Sequence, residues 1–179
     1  PPAGPGKDPA SIVAELVKYR DANKIPKGEV IQAYGYDENA MPDGRLLNRD
    51  DLDKALPDNP VLVGHVSMHG AVLNSAAMKK WGLSANTKTP PGGVIVRKPG
   101  TQEPWGLIME TAYLPIFASL PQPTKEQEVA WSRAGQMLYA RHGVTTAHEG
   151  ATHLGDLDVM KRAADGGATL IDVIAYPFI

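Results

Sequence analysis

The amino-acid sequence predicts an α/β protein made of two unlike parts. In the first part, short valine-rich apolar runs bounded by Gly, Pro, Asn and Asp alternate with amphipathic stretches. From Thr124 onward the order changes to helix, strand, helix, strand. The 18 glycines and 16 prolines concentrate before residue 125, so the first part should be rich in loops. We therefore expect a mixed α+β domain over residues 1–122 and βαβ units over residues 123–179.

Capping signals mark the helices of the first part. Three are predicted, over residues 9–24, 49–56 and 71–81. Asp8 followed by Pro9 is typical of an N-cap and a first helical residue. Asn48 is the expected cap of the second helix, and Gly82 is the expected stop of the third.

Four strands are predicted in the same part. They cover residues 30–34, 60–66, 93–96 and 105–109. Glu110 directly follows the last of them, so its carboxylate is expected at a strand end. It would either face a cleft or form a salt bridge with an arginine such as Arg97.

The second part predicts one parallel strand pair. Thr124 and Gln127 form a capping box for a helix that runs to about His142. A strand over 144–147, a helix over 154–164 and a strand over 170–176 should follow. A helical crossover between two strands makes them parallel, as in α/β sheets and barrels. Two strands cannot close a barrel, which takes eight βα units and about 250 residues, so the sheet is either small and open or part of a cut barrel.

His148 and Glu149 are the candidates for chemistry in the second part. They come just past the carboxyl end of a predicted strand, where α/β folds place their active sites. A metal or substrate contact is one interpretation, and an ordinary polar surface loop is the other. The helical zinc motif H-E-x-x-H is rejected, because Thr152 stands where its second histidine should be.

Two histidines of the first part lie around a predicted junction of strand and helix. His65 is interpreted as a satisfied, buried imidazole of the strand. His69 stands beside Gly70 just before the predicted helix, where side chains project into a cleft, so a pocket role is favoured.

Two pairs of adjacent acids are present. Paired acids can perform general acid–base chemistry when burial separates their pKa values, but in polar loops they are usually solvated. Asp37 and Glu38 lie in such a loop. Asp50 and Asp51 are expected to stabilise the first turn of the helix that Asn48 caps.

Composition excludes several classes of function. The net charge of -2 comes from 18 basic and 20 acidic residues that are well mixed, so no basic face is available for nucleic acid. No apolar stretch approaches the roughly 20 residues of a membrane span. The lack of cysteine excludes thiolate metal sites, disulfides and thiol nucleophiles. We expect a soluble protein, in either the cytoplasm or the periplasm.

Seven short motifs follow one another along the chain: Gly35–Glu38, Leu47–Asp53, Asn59–Val61, His69 with Asn74–Ala76, Pro91–Gly93, Gly106–Leu107 with Glu110, and Gly143–Thr146. Their order resembles that of the amidohydrolase 3 family, of the YtcJ-like type. The leading residues Pro1–Gly6 and the terminal Ala175–Pro177 are similar to a subgroup of that family.

This resemblance implies a (β/α)8 TIM-type barrel hydrolase with a large insertion after the first barrel strand. Residues 1 to about 120 would be the insertion, which walls the substrate pocket, and Thr124–Ile179 would be early barrel units. His69 and Asn74 match the pocket motif, and Glu110 is expected to make a polar contact there. The family's first-strand His-x-His pair would precede Pro1, and its later ligands would follow Ile179.

The resemblance further implies hydrolysis of a non-peptide C–N bond in an amide, formamide or cyclic imide. A divalent metal, zinc in the first place, would activate water for this reaction, and His148 and Glu149 would lie near the metal. The chain itself would supply pocket elements without activity of its own, and it would self-associate or join the missing barrel parts. The rival hypothesis is a stand-alone binding domain that keeps the insertion scaffold without catalysis.

Overall fold

The computed structural model describes residues 6–42 and 44–178. The chain divides into two compact units, residues 1–120 and residues 121–179. The interpretation of these units as a pocket insertion and an early barrel segment stays a prediction. The first five residues of the Pro/Gly-rich start lie outside the described residues.

The described part of the first unit is built on a five-stranded sheet of order β1-β2-β3-β5-β4. Its strands are β1 (Ile31–Tyr36), β2 (Val61–His65), β3 (Gly70–Leu73), β4 (Gly93–Arg97) and β5 (Pro104–Glu110). Its helices are α1 (Pro9–Ala22), α2 (Arg49–Asp53), α3 (Ser75–Lys80) and α4 (Leu114–Ala118). β1 and β2 are parallel, whereas the other neighbouring strands are antiparallel. The four predicted strands are confirmed, with ends that shift by one or two residues.

The helix predicted over residues 71–81 is wrong in its first half. Gly70–Leu73 forms β3, hydrogen-bonded to β2 on one side and to β5 on the other. Only Ser75–Lys80 is helical. Val72 and Leu73 have the spacing of an apolar helix face, but both are fully buried in the centre of the sheet. The two patterns coincide because a strand buried on both faces reads as a continuous apolar run.

Both faces of the central strands of this sheet are covered. Alternate residues of the central strands belong to two different core clusters, since successive side chains of a strand point to opposite faces. Leu62, Ala71 and Leu73 pack with residues of α3 and α4, whereas Val61, Val63 and Val72 pack with residues of α1 and α2. The central strands therefore leave their ends, and not their faces, for polar chemistry.

The predicted helix caps are confirmed. The Asp8 side chain accepts from the Ser11 amide at 2.7 Å, and the Asn48 side chain accepts from the Asp50 and Asp51 amides. Asp50 and Asp51 lie in the first turn of α2, as expected. Asp50 also ties α2 to the sheet, because its carboxylate accepts from the Trp105 indole at 2.8 Å, and this bond lowers the pKa of Asp50.

The second unit contains a parallel strand pair with two helices. Its elements are α5 (Lys125–Arg141), β6 (Thr146–Thr152), α6 (Leu154–Asp165) and β7 (Asp172–Pro177). The parallel pairing of β6 with β7 and the capping box at Thr124 and Gln127 confirm the sequence prediction. The Gln136 side chain of α5 accepts from the Leu170 amide at 2.8 Å, which fixes the start of β7 against the helix.

The first strand of this unit differs from the prediction. β6 begins at Thr146 rather than at residue 144, and it continues through His148 and Glu149 to Thr152. His148 pairs with Ile174 and Glu149 with Ala175, so the backbone of this stretch is held by the β7 ladder. His148 and Glu149 therefore belong to a strand, and their predicted place on a loop past its end is wrong.

No helix within residues 6–42 and 44–178 combines the length and the apolar character that a membrane span requires.

Candidate functional site

Several polar side chains meet at one edge of the five-stranded sheet. The parallel strands β1 and β2 end together, with Tyr36 paired to His65. The turn that connects β2 to β3 starts at this edge, and β5 ends there, with Met109 opposite Gly70. We call this place the hairpin edge and define it by Asp37, Glu38, His65, Ser67, His69 and Glu110.

His69 and Glu110 form a hydrogen-bonded pair at the hairpin edge. Nδ1 of His69 lies 2.8 Å from Oε1 of Glu110, and the Glu110 amide donates to the His69 carbonyl at 2.9 Å. Both side chains are exposed, at 62% and 44% of their area. The structure thus joins two residues that the sequence predicted separately for the pocket. Arg97, the alternative partner of Glu110, donates instead to the carbonyls of Gln102 and Thr87.

The backbone around this pair is unusual. Met68 and Glu110 adopt left-handed conformations, with φ of 66° and 53°. Such conformations disfavour side chains larger than glycine and persist only where the surrounding structure imposes them. Gly70 has no room for a side chain, because a Cβ there would lie 2.5 Å from the Ile108 carbonyl oxygen. Close packing of the turn against β5 therefore fixes where His69 and Glu110 stand.

His65 and Glu38 form a second histidine–carboxylate pair. Nε2 of His65 lies 2.9 Å from Oε2 of Glu38, and Nδ1 lies 2.7 Å from the Ser67 hydroxyl. The ring also makes an edge contact with Tyr36, at 5.6 Å between centroids. Burial raises the pKa of the Tyr36 phenol, whose oxygen accepts from the Leu47 amide.

Sequence reasoning missed this pair. His65 is satisfied, as predicted, but its partner is Glu38, which was interpreted as a solvated loop residue together with Asp37. Strand pairing brings the two together across 27 positions of the chain. The usable signal was the position of both segments at the ends of adjacent strands, which becomes informative only once the parallel pairing is known.

Asn74 is fully buried and caps α3. Its side-chain oxygen accepts from the amides of Val61 and Ala77, and its side-chain nitrogen donates to the carbonyls of Leu56 and Asn59, each at 2.8 or 2.9 Å. A carboxamide has two donors and two acceptor sites, and all four are used. This geometry is that of a structural residue, and it gives the predicted substrate contact of Asn74 no support.

His148 and Glu149 do not fit one metal ion together. As neighbours in β6 they point to opposite faces of the strand pair. His148 bonds through Nδ1 to the Tyr176 hydroxyl at 2.9 Å and stacks on that ring. In the described chain, the one group of three side chains close enough to hold an ion is Asp37, Glu38 and His65. A metal role for His148 or Glu149 alone stays a prediction.

Comparison with known proteins identifies the family. The model of the amidohydrolase family named Amidohydro_3 matches residues 2–177. The chain belongs to this family. The relatives include YtcJ of Bacillus subtilis (strain 168), which is 33% identical over 173 residues and matches 93% of this chain. An N-substituted formamide deformylase of Arthrobacter pascens is 28% identical over 153 residues and matches 86% of it.

The chain spans less than a third of the length of these amidohydrolase relatives, 31% of YtcJ and 27% of the deformylase. Two solved structures share its fold. An uncharacterized metal-dependent hydrolase from Pyrococcus horikoshii OT3 has a TM-score of 0.55 at 19% identity, covering 97% of this chain and 32% of that one. A second uncharacterized metal-dependent hydrolase, from Pyrococcus furiosus, has a TM-score of 0.50 at 22% identity. The match covers 92% of this chain and 32% of that one. The predicted α/β fold of an amidohydrolase is thus confirmed.

The structural role of Asn74 is testable. We expect Asn74→Ala to lower the free energy of unfolding of the first unit by about 3 kcal/mol, because it removes a helix cap and leaves buried backbone groups without partners. Urea unfolding followed through the NMR amide signals of Val61 and Ala77 measures the loss. Asn86→Ala, at an exposed position, is the matched control and should be near neutral. Equal stability of the two variants would refute the role.

Proposed function

We propose that the protein containing this chain hydrolyses a non-peptide C–N bond with the help of a divalent metal ion, zinc in the first place. The observation that carries the proposal is the amidohydrolase match over residues 2–177. The formamide deformylase among the relatives and the metal-dependent hydrolases among the structural neighbours support the same chemistry. The substrate class is therefore an amide, a formamide or a cyclic imide.

The proposed contribution of this chain is one wall of the substrate pocket. A bound metal would polarise the substrate carbonyl and activate water. Glu110 orients His69 by accepting a hydrogen bond from Nδ1–H, which leaves Nε2 as the acceptor nitrogen of the ring. Among the described residues Nε2 of His69 has no hydrogen-bond partner. It is suited to accept from the N–H of an amide-like substrate, and this is the role we propose for the pair.

Metal dependence is the first test of the proposal. The full-length protein should hydrolyse at least one of an N-substituted formamide, an acyclic amide and a cyclic imide. A chelator should abolish the activity and zinc should restore it, because the metal supplies the activated water. The 179-residue chain alone should show no turnover. Activity that survives complete metal removal, or no turnover on any of the three by metal-loaded protein, would contradict the proposal.

The pocket role of His69 has its own kinetic signature. In the full-length protein, His69→Ala should raise KM roughly three- to tenfold, the usual contribution of one hydrogen bond, while kcat changes little. His142→Ala, at an exposed position of the second unit, should behave as wild type. An unchanged KM in the His69 variant would remove this residue from the pocket.

A binding domain without catalysis is the second candidate. The observation that raises this candidate is the exposed apolar surface of the second unit, which could bind a partner. Its exposed residues include Trp131, Leu138, Leu154, Ile174, Tyr176 and Phe178, with 44% to 75% of each accessible. An evolved binding domain should be a monomer or a closed dimer, whereas a segment of a larger hydrolase fold should associate through such surface.

Light scattering separates the two candidates. For the hydrolase segment we expect a mass that grows with concentration beyond the 19.1 kDa of the chain. Ile174→Lys should reduce this association, because it places a charge on the exposed β7 surface. Val94→Lys, also exposed but in the first unit, is the control. A monomer or a dimer of fixed mass at every concentration would favour the binding domain.

A further inference from the structure

We propose that Asp37, Glu38 and His65 bind one divalent cation of the class that takes imidazole nitrogen together with carboxylate oxygen, such as zinc, cobalt or manganese. This site belongs to the first unit alone. It does not rest on the proposed hydrolysis or on the metal which that reaction would use.

The fold brings the three residues together before any ion binds. Asp37 and Glu38 directly follow β1, and His65 is the last residue of β2. Because the two strands are parallel and Tyr36 pairs with His65, their carboxyl ends lie side by side. The Asp37 side chain is further held by the Asn39 amide, which donates to its Oδ1 at 3.0 Å. The convergence is a consequence of strand register rather than of chance contact between flexible loops.

The distances suit an ion after a small adjustment. One ligand atom from each of the three residues lies within 4.8 Å of the others, and Nε2 of His65 is 2.9 Å from Oε2 of Glu38. Ligands of one zinc ion lie about 3 to 4 Å apart, since each metal–ligand distance is about 2.0 to 2.2 Å. A small rotation of the carboxylate side chains would close the difference. The remaining coordination positions would take water.

Hydrogen bonds fix the orientation of the His65 ring. The nitrogen away from the carboxylates, Nδ1, lies 2.7 Å from the Ser67 hydroxyl and accepts from the Ser67 amide at 3.1 Å. In a ligating histidine the other ring nitrogen usually donates its N–H to an outer acceptor, which orients the ring and sets its tautomer. Without an ion, the ring proton is on Nε2 and is donated to Glu38. Binding of an ion at Nε2 would place the ring proton on Nδ1, where the Ser67 hydroxyl can accept from it and the Ser67 amide would give up its bond to the ring.

Charge and partial burial favour a cation. Two carboxylates face one imidazole, and the His65 and Glu38 side chains are only 17% and 30% exposed. Partial removal from water strengthens their attraction for an ion. Arg45, from a neighbouring segment, donates to both oxygens of Asp51 at 2.9 and 3.1 Å. Its guanidinium is thus already held by another carboxylate.

Calorimetric titration of the metal-free chain with Zn²⁺ tests the proposal. We expect one Zn²⁺ per chain. Glu38→Gln should weaken binding by at least about tenfold, because ligand loss costs no less than loss of an outer contact. The glutamine oxygen can still accept from Nε2–H, so the variant keeps the fold. The thermal unfolding midpoint of the metal-free Glu38→Gln variant, compared with that of the metal-free wild type, checks that the fold is kept.

Glu110→Gln is the matched control, since it alters the other histidine–carboxylate pair of the same edge. It should bind Zn²⁺ as wild type does. A second variant, Asp37→Asn, keeps the acceptor for the Asn39 amide and should also weaken binding. The proposal is overturned if the wild type shows no saturable Zn²⁺ binding. It is equally overturned if Glu38→Gln, folded as wild type, binds Zn²⁺ with unchanged affinity.

Discussion

Parallel pairing of β1 with β2 decides which side chains meet at the hairpin edge. The register that sets Tyr36 against His65 places Asp37 and Glu38 next to the turn that carries Ser67 and His69. A one-residue slip would send every side chain of a strand to the opposite face. It would therefore also disrupt both cores of the sheet, so the packing that stabilises the first unit is the same packing that positions its polar groups.

Local signals predicted much of this fold. The caps at Asp8, Asn48 and Thr124 are confirmed because a capping side chain bonds amides within three residues of itself, which makes it visible in sequence. The prediction of a helix over residues 71–81 was wrong because the apolar residues of β3 and α3 together have the spacing of one helix face. Only the ladders to β2 and β5 reveal the strand, and these are long-range contacts.

The candidate site shows the same difference between local signals and long-range contacts. His69 and Glu110 were predicted from their places beside a glycine and at a strand end, but their contact spans 41 positions and no local pattern contains it. Asn74 was chosen for its motif, but its buried side chain bonds to four backbone groups and so has a structural role. His148 and Glu149 looked like neighbours at a strand end, yet strand alternation separates them. In this chain, the position of a residue in the backbone indicated its contacts better than its residue type did.

Two imidazoles flank the turn between β2 and β3, and carboxylates hold them through opposite ring nitrogens. The most direct test is a long-range proton–nitrogen NMR spectrum of the histidine rings in the metal-free chain at about pH 8, where an ordinary imidazole is neutral. We predict opposite tautomers, with the proton of His65 on Nε2 beside Glu38 and the proton of His69 on Nδ1 beside Glu110. Two rings with the same tautomer, or two freely averaging rings, would contradict it.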